Sequence, residues 1–318
     1  MSVRGLLTHA FSLLLVVGGL ALIDDRLSES RTGGGERKIV SSTLKRVDAH
    51  RDATIFTFGC STRLNDRVLS LALGVPKETI LDGHMGGCHQ GCSYAEMQHL
   101  LRDGRRFERA FFAYNLFEAC EHDHSKRTLQ EQMLLPVEDT AKLFALYLHA
   151  KKPARLLSRY VGAAASGAYA DTTFVRQRLG TALFGKHDAK NAHRWVRMRA
   201  PSTEQWLPTC SFAPDDLTLK TAFLHAILDD LEALAERSTL VILPDRTLTL
   251  PDHAERWVRY RSMAREAVAL HPHVELLDLS EQGELTWNHF RDGVHLSKIG
   301  HPVFERRVVE GLAPAVAR

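Results

Sequence analysis

The sequence is poor in cysteine: there are five, Cys60, Cys88, Cys92, Cys120 and Cys210, in 318 residues. That is too few for a disulfide scaffold, and an odd number leaves at least one thiol over if the others pair. A surplus of charge of one sign is missing too. Against 41 Lys and Arg stand 38 Asp and Glu, a net charge of +3, whereas nucleic-acid binders carry a clear basic patch or stripe. The most basic run, Lys186, Lys190, Arg194, Arg197 and Arg199, reads as a solvated helix face, so no nucleic-acid partner is expected. Aromatic residues make up 8% of the chain. Trp195, Trp206, Trp257 and Trp287 are scattered, the pattern of core packing, with Trp287 close enough in sequence to Asp292 to border a pocket there.

Long apolar runs are absent with one exception. Gly5 to Ile23 (GLLTHAFSLLLVVGGLALI) is apolar apart from Thr8, His9 and Ser12, close to the ~20 residues that a helix needs to cross a bilayer. Residues 1–23 therefore read as a signal anchor or a signal peptide. Gly19-Leu20-Ala21 is only a fair cleavage site and Arg4 is the one basic side chain ahead of the run, which favours an uncleaved anchor. Arg26, Arg31, Arg37, Lys38, Lys45 and Arg46 follow it, and the positive-inside rule would hold them on the cytoplasmic side. Residues 24–50 are polar, contain Gly33-Gly34-Gly35 and read as a flexible linker.

Folding signals begin at Ala53. Thr54 to Phe58 reads as a buried strand ended by Gly59. Arg63 to Leu73 has helical spacing and stops at Gly74 and Pro76. Thr79-Ile80-Leu81 is a second strand, followed by a loop from Asp82 to Cys92 that is rich in glycine and cysteine. Ser93 then caps a helix, with Glu96 completing a capping box. Phe107 to Tyr114 is a third strand. Residues 120–218 read as a mostly helical insertion or lid, helical over Thr128 to Ala150 apart from Pro136 and broken by Pro201, Pro208 and Pro214. Regular alternation returns with a helix through Leu224, Ile227, Leu228, Leu231 and Leu234, a strand over Thr239 to Pro244, a helix over Ala254 to Leu270 and a strand over Val274 to Leu279. Strands alternating with helices imply parallel βαβ units, an α/β class with one sheet covered on both faces.

Three stretches carry chemistry. Ser61, in Phe58-Gly59-Cys60-Ser61-Thr62, follows the carboxyl end of the first strand. Open α/β sheets bind ligands at that end, and helix N-termini there offer N–H groups to an anion. Asn115 closes the third strand. Near the other end of the chain, Asp292 and His295 are three residues apart. On one helical turn they would share a side, and a carboxylate under one ring nitrogen leaves the other free to take a proton. Taken singly, each has a plainer reading: an N-cap serine or aspartate, or a surface histidine.

Together these stretches resemble the SGNH (GDSL-type) hydrolase superfamily, whose blocks occur here in order. Gly59-Cys60-Ser61 stands for the Gly-Asp-Ser block, with Ser61 in the nucleophile position. Gly91, or alternatively Gly87, supplies the glycine of the second block. Ala113-Tyr114-Asn115-Leu116 stands for Gly-x-Asn-Asp, and Asp292 with His295, followed by Leu-Ser and Gly300, matches Asp-x-x-His. Cys60 and Ala113 depart from the family's Asp and Gly at positions that are not catalytic in it. The resemblance covers about residues 53–115 and 219–312, and residues 120–218 have no counterpart. It implies a three-layer α/β/α flavodoxin-like SGNH fold over 51–318. It also implies a Ser61–His295–Asp292 triad and an oxyanion hole made by Ser61, Gly91 and Asn115. The implied activity is ester hydrolysis, on O-acyl groups of a carbohydrate or lipid. An O-acetyltransferase of cell-surface polysaccharide and a non-catalytic binding or assembly protein remain open. The expected location is a membrane-anchored domain on the extracytoplasmic side, or a secreted one if the leading segment is cleaved.

A rival motif is metal binding by His84, Cys88, His89 and Cys92, with Glu118, His122 and His124 downstream. Gly86, Gly87 and Gly91 argue against one helical face there, and the spacing is not that of zinc sites. No metal and no cofactor are expected. Cys88 with Cys92, or either with Cys60 or Cys120, would form a disulfide in an exported domain, and plain buried thiols otherwise.

Overall fold

The computed structural model describes residues 36–59, 64–85, 90–115, 134–135, 140–150, 154, 157, 214–246, 254–280, 284–291 and 295–316. Five strands form one sheet: β1 (Ile55–Phe58), β2 (Ile80–Asp82), β3 (Phe107–Asn115), β4 (Ala235–Leu243) and β5 (Val274–Asp278). Their order is β2-β1-β3-β4-β5, and every neighbouring pair is parallel. The helices are α1 (Glu36–Ala49), α2 (Asp66–Leu73), α3 (Gln90–Arg102), α4 (Thr140–Tyr147), α5 (Pro214–Leu234), α6 (Ala254–Ala269) and α7 (Gly300–Val316). The α/β class with a parallel sheet is as the alternating pattern implied.

The period of two in each strand divides the core. Phe56, Phe58, Leu81, Ala110, Phe112, Tyr114, Leu240 and Ile242 belong to one buried cluster, with side chains from α1, α3, α4, α5 and α6. Ile55, Ile80, Phe111, Ala113, Val241 and Leu243 belong to a second, with α2 and α7. The sheet is thus covered on both faces, which is why its strands read as nearly unbroken apolar runs. On the first face an aromatic row crosses the strands. Phe58 stacks on Phe56 at 4.9 Å and on Phe112 at 4.7 Å, and Tyr114 continues the row to Tyr260 of α6 at 5.3 Å. On the second face Thr57 donates to the Leu64 carbonyl at 2.8 Å. It thereby ties the middle of β1 to the entry of α2, where Asn65 accepts from Val68 N–H and Gly74 ends the helix at φ 68°.

Several elements differ from the sequence expectation. Residues 36–49, read as part of a linker, form α1, and Val40, Thr43 and Val47 on it are buried. Their spacing of three and four is helical, but charged neighbours mask it in composition. Ser93 does not cap a helix: α3 begins at Gln90, and both Ser93 and Glu96 are buried within it. Pro214 opens α5 instead of breaking an irregular stretch, since a proline fits the first turn of a helix. In the 120–218 insertion, α4 sends Leu143 and Tyr147 into the first core cluster. The apolar run at 1–23 lies outside the described residues. Among the described residues no helix is long and apolar enough to cross a membrane.

Candidate active site at the carboxyl edge of the sheet

All five strands end at the same edge, and the order reverses between β1 and β3, where ligands of doubly wound sheets bind. β1 is followed directly by Gly59, whose φ of 130° is open to glycine alone. A β-carbon on it would collide with the backbone carbonyl of Ala113 on β3. The first block therefore begins where two strands approach too closely for a side chain. Ser61 lies outside the described residues.

Asn115 is the last residue of β3, paired in register with Leu243 of β4, and is 4% exposed. Gly91 is the second residue of α3 and is buried. Because α3 follows β2, its N-terminus, with the partial positive charge of a helix start, faces the same edge. Gly87 lies outside the described residues.

His295 sits in the connection from β5 to α7 and is exposed. The local geometry differs from the helical turn read from Asp-x-x-His. Phe290 and Leu296 form an antiparallel bridge, and Arg291 N–H donates to the His295 carbonyl at 2.8 Å. His295 therefore stands on the return arm of a small hairpin, and α7 starts only at Gly300. Asp292 lies outside the described residues. The hairpin is anchored on both sides: Phe290 and Leu296 are buried, Ser297 Oγ donates to the Asn288 carbonyl at 2.8 Å, and its N–H donates to the His289 carbonyl at 2.8 Å. Gly300 presses so closely on that carbonyl that a β-carbon would not fit.

A second histidine at this edge was read in sequence only as a metal candidate. His84 is two residues past β2, and its side chain has no exposed surface. Asp82 Oδ1 accepts from His84 Nδ1 at 2.8 Å and from the His84 backbone N–H at 3.0 Å. Its Nε2 is buried without a hydrogen-bond partner. Arg46 of α1 donates to the His84 carbonyl at 2.9 Å and lies 3.7 Å from Asp82 Oδ2. Burial pushes the Asp82 carboxyl up, but the His84 hydrogen bond and charge and the Arg46 guanidinium outweigh it and hold Asp82 below the ordinary carboxylate value. Glu96 of α3 is the counterpart. Its burial drives the carboxyl well above the ordinary value, against the pull of Arg46 and with the push of Asp82. A carboxylate-held imidazole with one open nitrogen has the form of an acid/base unit. The signal for it was present as Asp82-Gly83-His84, but its burial is not legible from three residues.

Three residues past β4, the Arg246 guanidinium lies over the Trp287 ring at 3.3 Å, a cation–π contact. Of the cysteines, Cys92 is a buried thiol in α3. Cys60, Cys88, Cys120 and Cys210 lie outside the described residues, as do His89, Glu118, His122 and His124 of the metal motif. No protein-family model matches the chain, and no curated protein matches it either.

Proposed function

We propose that the chain is a serine-dependent ester hydrolase of the SGNH type, with a flavodoxin-like fold, Ser61 as nucleophile, His295 as base and Asp292 as its orienting carboxylate. What supports the reading is the order in which the blocks meet one edge of a parallel sheet. Gly59 directly follows β1, two residues before Ser61, Gly91 is the second residue of α3, Asn115 ends β3, and His295 follows β5.

In this reading His295 takes the Ser61 proton as Oγ bonds to the ester carbonyl carbon, and Asp292 steadies the imidazolium. The oxyanion is held by the Ser61 and Gly91 N–H groups and the Asn115 side-chain amide. The proton passes to the departing alcohol, and water releases the acyl group from Ser61 by the same steps in reverse. The substrate is an O-acyl ester of a carbohydrate or lipid.

The test is labelling of the full-length protein by a fluorophosphonate, with turnover of p-nitrophenyl acetate. Ser61→Ala should abolish labelling. His295→Ala should lower turnover by about three orders of magnitude or more, and Asn115→Ala by about two to three. The His84–Asp82 pair supplies a built-in control. If His84→Ala removes labelling and His295→Ala does not, the base is His84 and the assignment of His295 is wrong. Absence of labelling in the unmodified protein would overturn the hydrolase reading.

A further inference from the structure

The opposite edge of the sheet holds a second cluster. α5 runs directly into β4, and His271 stands three residues before β5, so both lie at the amino end of the strands. His271, Asp229 and Glu232 bring one ligand atom each within 4.8 Å of one another.

The distances within this cluster decide its character. His271 Nδ1 lies 3.6 Å from Asp229 Oδ1 and 3.6 Å from Glu232 Oε2. A charged imidazole that simply paired with a carboxylate would close to about 2.8 Å. Two atoms bound to one tetrahedral zinc, by contrast, stand about 3.5 Å apart, given bonds of about 2.1 Å. The His271 side chain is 6% exposed, and it aims Nδ1 at both carboxylates from beyond hydrogen-bonding distance of either.

The outer contacts are also in place. His271 Nε2 lies 3.2 Å from His225 Nδ1. Metal binding at Nδ1 leaves the proton on Nε2, where His225 accepts it, the arrangement that orients histidine ligands. Glu232 Oε1 accepts the His273 backbone N–H at 3.1 Å, which turns Oε2 toward His271. Asp229, with 72% of its side chain exposed, is the one ligand at the surface and leaves a side open for ion entry and a bound water.

We propose that His271, Asp229 and Glu232 form a site for a divalent transition-metal ion, zinc by donor set and spacing, which fastens α5 to the chain entering β5. Imidazole with carboxylates suits zinc, whereas calcium and magnesium favour oxygen alone. The site is at the edge opposite the candidate hydrolase centre and independent of it.

The experiment strips the full-length protein with a chelator and titrates it with zinc against a chromogenic chelator, with the thermal midpoint followed in parallel. The unmodified protein should bind a zinc that Asp229→Asn/Glu232→Gln gives up, the affinity at this site falling about 100-fold. Zinc should raise the unfolding temperature of the unmodified protein by about 4 °C and leave that of the double variant unchanged. Asp229→Asn alone, on an exposed side chain, should weaken binding about tenfold without touching the core. Cobalt in place of zinc should absorb as a nitrogen–oxygen site. The proposal is overturned if the stripped protein takes up no zinc in excess metal. It is also overturned if the double variant binds as many equivalents as tightly, or if cobalt gives a thiolate charge-transfer band, which would place the ion on cysteine.

Discussion

Asp230 of α5 shows how much one carboxyl in the wrong place can matter. It receives a hydrogen bond from Gln98 of α3 at 2.5 Å, yet burial carries its pKa to about 6, against the pull of Gln98 and Lys142. The folded state therefore holds this proton more tightly than the unfolded chain, whose carboxyl titrates near 3.8. Stability from this group is complete below that lower value and is lost as pH rises through about 6. Asp230→Asn should therefore stabilise the protein at pH ~7.5 by as much as about 3 kcal/mol and give no gain at pH ~4; urea melts at the two pH values check this. Gly59 makes the opposite case. A methyl there meets the Ala113 carbonyl on a backbone that only glycine adopts, so Gly59→Ala should cost about 3 kcal/mol, read as a lower urea midpoint. Gly59 was visible in the sequence as the end of a strand. That it ends there because β3 leaves no room was not, since the clash involves a residue more than fifty positions away.

At the level of elements, the sheet was far more legible than its surroundings. β1, β3 and β4 announce themselves as runs such as Ile55-Phe56-Thr57-Phe58 and Leu240-Val241-Ile242-Leu243, because strands buried on both faces need no polar alternation. α1 did not, because Val40 and Val47 sit among lysines, arginines and serines and the glycine triplet before them suggested a tether. Its role is nonetheless structural. Two valines enter the first core cluster, and Arg46 reaches across to His84 and Asp82. A chain starting at residue 51 should thus be less stable than one starting at residue 30 by about 3 kcal/mol or more, given about 1.5 kcal/mol or more for each buried valine. Comparing their urea midpoints tests this. The shape of the chain around His295 was not legible: the hairpin is fixed by the bridge between Phe290 and Leu296 and by Ser297, contacts that spacing alone does not reveal.

At the scale of the whole sheet, two sets of side chains lie at opposite edges. Of the described residues, Gly91, Asn115 and His295 lie toward the edge where the strands end, and the histidine–carboxylate cluster lies where they begin. The first could be sought in the sequence because its residues fall in short blocks at strand ends. The second could not, because Asp229 and His271 come from different elements and meet only once β4 and β5 are in register. The β3–β4 ladder has a further consequence. It is the most extensive pairing in the sheet, running from Phe107 with Ala235 to Asn115 with Leu243, yet everything from residue 116 to residue 234 lies between its two strands. A chain emerging from the ribosome therefore completes β1, β2 and β3 long before β4 exists. Throughout that interval the open side of β3, with Phe111, Phe112 and Tyr114 on it, offers unpaired backbone to any neighbour. Nascent chains halted before residue 235 should be the species that aggregate and the ones that holdase chaperones retain.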